Sequence, residues 1–249
     1  MSTDITKLVI VGSKGRMGEA LMRLAKADPK LELVAGIDKG DNLLEVIDQC
    51  DSVIEFAHHS LSGDLAKIVA DHRKALVVGT TGHTAEEREA IKAAGARIPV
   101  VFAPNFSIGV NLLFHLTKIA AEVLGDDYDQ EVVEMHHRLK IDSPSGTARR
   151  LGEILAEASG GTYEELTVHG RHGDVGVRPK RIIGMHAVRG GDVVGDHTVM
   201  FSTVGERLEL THKASSRDTF ASGALRAAQW VRPQKPGVYS MQDVLGFTK

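Results

Sequence analysis

Short apolar runs alternate with helical periodicities through the first hundred positions. Leu8-Val-Ile-Val11, Leu31-Glu-Leu-Val-Ala-Gly-Ile37, Ser52-Val-Ile-Glu-Phe-Ala57, Ala75-Leu-Val-Val78 and Ile98-Pro-Val-Val-Phe102 read as five strands. Continuous runs of this kind suit strands buried on both faces, as in a parallel sheet. Between them, Met17, Ala20, Leu21, Leu24 and Ala25 fall on one helical face, and Leu61, Leu65, Ile68 and Val69 mark a second helix. Thr84-Ala-Glu-Glu87 matches a capping box that opens a third, ending near Gly95. Strand–helix alternation predicts an open parallel α/β sheet of the Rossmann type, with ligands beyond the strands' C-terminal ends.

The second half has a different pattern. Residues 108–124 read as one long helix whose apolar positions Leu112, Leu113, Leu116, Ile119, Ala120 and Val123 form a broad stripe, predicting burial against two partners. Residues 129–135 alternate as a strand does. Residues 181–188, a Gly190-Gly191 turn and residues 193–201 read as a hairpin, and Gly205-Glu206 marks another turn before Leu208-Glu-Leu-Thr-His212. A mixed or antiparallel sheet follows. Residues 168–179 lack periodicity and predict a mobile loop. Residues 217–230 are helical, with Phe220, Ala224 and Ala227 on one side. The expected organisation is a dinucleotide-binding domain over 1–107, to which 218–249 return, and an α+β substrate-binding and oligomerisation domain over 108–217.

Composition narrows the class. A formal charge of −3 over 249 residues argues against a nucleic-acid partner, so any anion site is a local cluster. Cys50 is the single cysteine, which excludes an intrachain disulfide and suggests a reducing compartment. The N-terminus carries Asp4 where a secretory leader needs basic residues. No stretch approaches the roughly 18 apolar residues of a membrane span. A soluble, cytoplasmic protein with no membrane partner is expected.

Candidate chemistry starts at Gly12-Ser-Lys-Gly-Arg-Met-Gly18, which lies between a strand and a helix. Gly12 allows a tight turn, Gly15 lets backbone approach a pyrophosphate, and Gly18 permits close helix–strand packing. The spacing is G-x-x-G-x-x-G rather than G-x-G-x-x-G, so a plain glycine-rich turn is the competing reading. Asp38, at the end of the next strand, stands where an acid would hold a ribose hydroxyl, unless it is a solvated loop acid. Lys39, Lys14 and Arg16 pull the other way, toward a 2′-phosphate, so NADH and NADPH are both admissible. Gly79-Thr-Thr and Ala103-Pro-Asn-Phe occupy the same sheet edge. His58-His59 also follows a strand, but adjacent residues on an extended chain point apart, which suits a solvated or cofactor-edge role better than a metal.

A second cluster is Glu134-Met-His-His-Arg-Leu-Lys-Ile-Asp-Ser-Pro-Ser-Gly-Thr147. Free N–H groups at Gly146 and Thr147, opening a helix capped by Ser143 or Ser145, would cradle a carboxylate or phosphate. His136 or His137 could carry a proton, Lys140 could donate one, and Arg138 suits a bidentate carboxylate contact or a structural ion pair. Spacing does not choose between the two histidines. No metal-ligand spacing is present.

These residues resemble the 4-hydroxy-tetrahydrodipicolinate reductase family, also called dihydrodipicolinate reductase, of lysine and diaminopimelate biosynthesis. The resemblance covers nearly the whole chain. It rests on the two clusters above with Gly79-Thr-Thr-Gly82, Ala103-Pro-Asn-Phe-Ser-Ile-Gly-Val-Asn111 and Thr211-His-Lys-Ala-Ser-Ser-Arg217. It implies that His136 is the acid/base residue, that Lys140 donates a proton, and that His137, Gly146 and Thr147 hold a cyclic dicarboxylate. It further implies that Gly12, Ser13, Lys14, Gly15, Arg16 and Met17 bind the cofactor with Asp38 and Lys39, Lys39 reading a 2′-phosphate. Gly79, Thr80 and Thr81, and Ala103, Pro104, Asn105 and Phe106, complete that set. The implied reaction is hydride transfer from NADH or NADPH to the substrate ring with loss of the 4-hydroxyl as water, under domain closure, in a homotetramer built through the second domain's sheet. The competing readings are a related two-domain NAD(P)-dependent amino-acid dehydrogenase and a non-catalytic dinucleotide-sensing protein.

Overall fold

The computed structural model describes residues 5–248. Asp4, on which the no-leader expectation rests, lies outside the described residues. The chain divides into two compact units, one holding the described residues up to Ile108 and from Arg217 on, the other Gly109–Ser216.

The first unit opens with β1 (Thr6–Val11), α1 (Arg16–Ala27), β2 (Leu31–Ile37), β3 (Ser52–Glu55), α2 (His59–Asp71), β4 (Ala75–Val78), α3 (Ala85–Gly95) and β5 (Pro99–Phe102). The central strands β1, β3 and β4 are buried on both faces, which is why they read as apolar runs, whereas the edge strand β2 is half-buried. Leu8, Ile10, Ile54, Val77 and Val101 point into one core, and Val9, Val53, Leu76, Val78 and Val100 into the other. The α3 capping box forms as the sequence predicts: Glu87 N–H donates to Thr84 Oγ1 at 3.3 Å and Thr84 N–H to Glu87 Oε2 at 2.8 Å.

The second unit contains α4 (Ile108–Leu124), β6 (Asp129–His136), α5 (Gly146–Ala158), α6 (Tyr163–Leu166), β7 (Thr167–His169), β8 (Ile183–Arg189), β9 (Gly195–Thr203) and β10 (Glu206–Ala214). Its mixed sheet runs β10-β9-β6-β8-β7. The expected hairpin between β8 and β9 is not there. β6 lies between them, parallel to β8 and antiparallel to β9. The diglycine is therefore a bridge over the end of β6. It spans two inter-strand spacings, about 9.6 Å, which five residues cover easily. The β9–β10 hairpin through Gly205 does form, with Thr203 opposite Glu206.

Two other expectations for this unit change. α4 buries one face only. Val110, Leu113, Phe114, Thr117 and Ala121 are buried, whereas Leu112 and Leu116 are each 40% exposed and Val123 76%. A single sheet face covers about half of a helix's circumference, so the broad stripe outruns its partner. Residues Ile108–Asp127 are also long and apolar enough to cross a membrane by length and composition, against the sequence expectation, although the inner face belongs to this unit's core. The stretch expected to be a mobile loop begins with β7 and has no regular structure over residues 170–179, where two arginines reach β6. Arg171 and Arg178 both donate to Glu131 Oε1, at 2.8 and 3.0 Å.

The chain then returns through α7 (Asp218–Val231), β11 (Gly237–Tyr239) and α8 (Met241–Val244). β11 extends the first sheet, giving the all-parallel order β11-β5-β4-β3-β1-β2. α7 and α1 cover one face and α2 and α3 the other.

Candidate active site

In the first sheet β2 and β3 flank β1 on opposite sides, so the chain reverses direction of travel at β1/β3. A crevice opens beyond the strand ends at such a point. The loop from Gly12 sits there. Gly12 has φ +84°, and a Cβ would lie 3.1 Å from Ala57 N and closer still to the Phe56 carbonyl. A Cβ on Gly18 would come within 2.6 Å of Ser13 Cα. These glycines are required by backbone approach. The N-cap of α1 is Gly15, which has no side chain to cap it, so the first-turn N–H groups keep their capacity for an anion. Lys14, Gly15 and Arg16 are exposed, Ser13 is buried and Met17 half-buried.

Asp38 closes onto this loop. Its carboxylate accepts Lys14 N–H at 2.9 Å and Lys39 N–H at 2.8 Å, and these two hydrogen bonds hold its pKa below the usual carboxylate range. Each oxygen retains acceptor capacity for a hydroxyl. Thr80, Thr81, Pro104, His83, Arg88 and Phe102 line a cavity of about 270 Å³. Ala103 and Phe106 are buried, and Asn105 Oδ1 accepts Ser107 N–H at 2.8 Å. His58 accepts Ser60 N–H at the start of α2, and His59 Nδ1 lies 2.9 Å from Glu87 Oε2. A phosphate-bearing dinucleotide fits what the chain offers here.

In the second unit the central stretch folds around a buried carboxylate. Glu134 is 1% exposed, and its side chain points into the unit from β6. Arg189 Nη1 and Nη2 donate to its two oxygens at 2.8 and 2.9 Å, a bidentate pair across the parallel β6–β8 register. Ser145 N–H donates to Oε1 at 3.1 Å, and His136 Nδ1 lies 2.6 Å from Oε2. Burial pushes the Glu134 carboxyl up, but hydrogen bonds from His136, Arg189 and Ser145 outweigh it and hold the pKa down at about 2. An ionised Glu134 only accepts, so His136 carries a proton on Nδ1, and Nε2 is the ring nitrogen on the side away from Glu134. A Cβ on Gly195 would lie 2.9 Å from that Nε2, so the glycine keeps the nitrogen clear.

Edge-on to His136, with ring centroids 5.1 Å apart, stands His197 of β9. Burial, reinforced by His136, pushes its pKa down to about 3, which keeps it neutral. Its Nε2 is 3.1 Å from Ser145 Oγ, the N-cap of α5, and that oxygen accepts Ala148 N–H at 3.2 Å. The cap is thus Ser145. Gly146 is exposed, with open space where a Cβ would be, and Thr147 is half-buried.

His137 is half-buried, and its carbonyl accepts Lys140 N–H at 3.1 Å in a turn. Lys140 Nζ pairs with Asp142 Oδ1 at 2.9 Å, and Arg189 also donates to the Asp142 carbonyl at 2.8 Å. Arg138 is exposed and pairs with no carboxylate among the described residues. The bidentate arginine is Arg189, which motif reading missed, along with His197 and Gly195. An Arg-Gly-Gly after a strand was visible, but only the insertion of β6 between β8 and β9 brings these residues to His136.

Comparison with known proteins is consistent across both units. The family model described as dihydrodipicolinate reductase, N-terminus, matches residues 6–106, and that described as dihydrodipicolinate reductase, C-terminus, matches residues 109–245. A 4-hydroxy-tetrahydrodipicolinate reductase of Akkermansia muciniphila is 53% identical, covering 97% of this chain and 98% of its own. One from Hahella chejuensis is 45% identical, covering 98% and 100%. Among solved structures, a dipicolinate-bound dihydrodipicolinate reductase from a Paenisporosarcina species shares the fold with a TM-score of 0.81 over 96% of this chain and 99% of its own, at 23% identity. A C. glutamicum DAP dehydrogenase is more distant, with a TM-score of 0.55 at 14% identity over 96% and 93%. With both units matched and relatives of this identity aligned end to end, the chain belongs to the 4-hydroxy-tetrahydrodipicolinate reductase family, also called dihydrodipicolinate reductase.

Proposed function

We propose that the chain reduces 4-hydroxy-tetrahydrodipicolinate to tetrahydrodipicolinate, with loss of the 4-hydroxyl as water, in lysine and diaminopimelate biosynthesis. Family membership and full-length relatives carrying that name support the reaction. The observation that carries its chemistry is the Glu134–His136 dyad at the end of β6, which leaves Nε2 beside Gly195 and away from the carboxylate.

The nicotinamide of NADH or NADPH, when bound, supplies the hydride. The Gly12–Met17 loop, Asp38, Lys39, Gly79–Thr81 and Ala103–Phe106 would hold the dinucleotide. Asp38 orders the loop and offers an acceptor to the ribose, while the exposed Lys39 and Arg16 supply charge for a 2′-phosphate. This mixture of charges supports use of either cofactor. His136 moves the proton at Nε2, and Lys140, held in its turn by Asp142, is the second proton donor. His137 and the N–H groups at Gly146 and Thr147 bind the dicarboxylate, α5 contributing its dipole.

Steady-state kinetics on freshly generated substrate with both cofactors test this reading. His136→Gln and Lys140→Ala should each lower kcat by about 10²-fold or more, the scale of lost general acid–base catalysis. Near-wild-type turnover in both would sink the assignment, and oxidative deamination of an amino acid would favour a dehydrogenase of the same architecture.

A homotetramer assembled through the second sheet, in the cytoplasm, accompanies this reading. The half-buried Val133, Met135, Thr198 and Met200 on the outer face of β6 and β9 suit such a contact. Light scattering should return four chains.

A further inference from the structure

One buried acid takes no part in this chemistry. Glu55, the last residue of β3, is fully buried, and it has no cation beside it among the described residues. Its carboxylate is satisfied by neutral donors from three separate segments. Ala57 N–H donates to Oε1 at 2.8 Å from the loop after β3. The Thr80 hydroxyl makes a short hydrogen bond to the same oxygen from the loop after β4. Ser62 Oγ donates to Oε2 at 3.2 Å from the first turns of α2. Because the Ser62 hydroxyl proton is committed to Glu55, its oxygen accepts from His83, whose Nε2 lies 2.9 Å away. His83 is itself buried and lines the cavity with Thr80 and Thr81.

We propose that Glu55 is a positioning residue for cofactor binding, fixing the Gly79–Thr81 loop and the end of β3 in one geometry through its hydrogen bonds to Thr80, Ala57 and Ser62. The inference rests on the reading that Gly79–Thr81 contacts the dinucleotide. The physical reason is the cost of burying an acceptor. A carboxylate out of water must be met by donors, and donors that leave it lose a partner they cannot replace. The loops can therefore drift only at that penalty. A Gly79 side chain would run into the Phe56 ring, so the backbone of this loop already sits hard against the chain that follows Glu55.

The test removes the acceptor at similar volume. Glu55→Leu takes away both oxygens, so Ala57 N–H and the Thr80 and Ser62 hydroxyls lose their shared acceptor. It should raise the NADH dissociation constant, read by fluorescence titration, by about tenfold or more, the effect of at least one lost buried hydrogen bond. The KM for NADH should rise with it, while the KM for the dicarboxylate, held by the other unit, stays within about twofold. Glu55→Leu combined with Thr80→Val should weaken NADH binding by less than the product of the two single effects, since both break the Glu55–Thr80 contact. Unchanged NADH affinity in a folded Glu55→Leu protein overturns the inference, as does strict additivity with Thr80→Val. If Glu55→Leu does not fold, Ser62→Ala decides: it removes a donor remote from the loop, and unaltered NADH affinity there overturns the inference, whereas a loss of about threefold supports it. Failure of the underlying cofactor reading looks different, because Thr80→Val and Thr81→Val would then both bind NADH as wild type does.

Discussion

The acid that matters most in the second unit is one with no catalytic proton to give. Glu134 accepts from His136, from both Arg189 nitrogens and from Ser145 N–H, and so fixes the imidazole, the strand end and the start of α5 together. Glu134→Gln should therefore do two things: cost about 3 kcal/mol in urea denaturation, the scale of breaking a buried pair, and lower kcat by freeing the ring of His136. Gly195→Ala should leave stability within about 1–3 kcal/mol, the usual range for overpacking, yet lower kcat more than it changes either KM, because its Cβ would cover Nε2. Acid sensitivity follows from His197 and Glu134. The His197 pKa is depressed from 6.5 to about 3, so its contribution is complete above pH 6.5 and is lost as pH falls toward 3. Glu134, depressed from 4.5 to about 2, adds the same sign at lower pH, complete above 4.5 and lost toward 2. Urea midpoints should thus begin to fall below pH 6.5, and His197→Gln should flatten the curve between pH 6.5 and 4.5. A curve for that variant parallel to wild type would refute the assignment.

At the scale of elements, the decisive event is the placement of β6 between β8 and β9. The apolar alternation of β8 and β9 with glycines between them is what a hairpin would show, because alternation reports which face is buried and is silent on which strand is the neighbour. The strands themselves, α4 and the capped α3 were legible from local pattern. The restraints on the stretch after β7 were not legible because they are distant in sequence: Arg171 and Arg178 lie 40 and 47 residues from Glu131. Burial pushes the Glu131 carboxyl up, but Arg171, His186 and Arg178 outweigh it and bring the pKa to about 2. Glu131→Gln should release this segment. Hydrogen exchange over residues 170–182 should accelerate in the variant, with β1–β5 unchanged; an unaltered exchange pattern would show the arginines to be incidental.

For the whole molecule, Cys50 supplies a probe. It is 2% exposed in the core of the first unit, and burial pushes its thiol up to about 11. A thiol reagent at pH 8 should react with native protein far more slowly than with the urea-unfolded chain, and the rate should track unfolding of that unit. Rapid labelling of native protein would contradict the packing around Cys50. The residues by themselves determined that two units of different sheet type exist, that one carries a glycine-rich loop between a strand and a helix, and that the other carries His136 and Lys140 just before a helix start at Gly146. These are properties of neighbours in sequence: hydrophobic period, turn chemistry and helix starts. Only the tertiary structure decided which oxygen fixes each proton. Arg189 comes to Glu134 from 55 residues away, His197 to Ser145 from 52, and Thr80 to Glu55 from 25. A buried charge selects its partners by which strands adjoin, and adjacency is settled by the packing of the whole sheet.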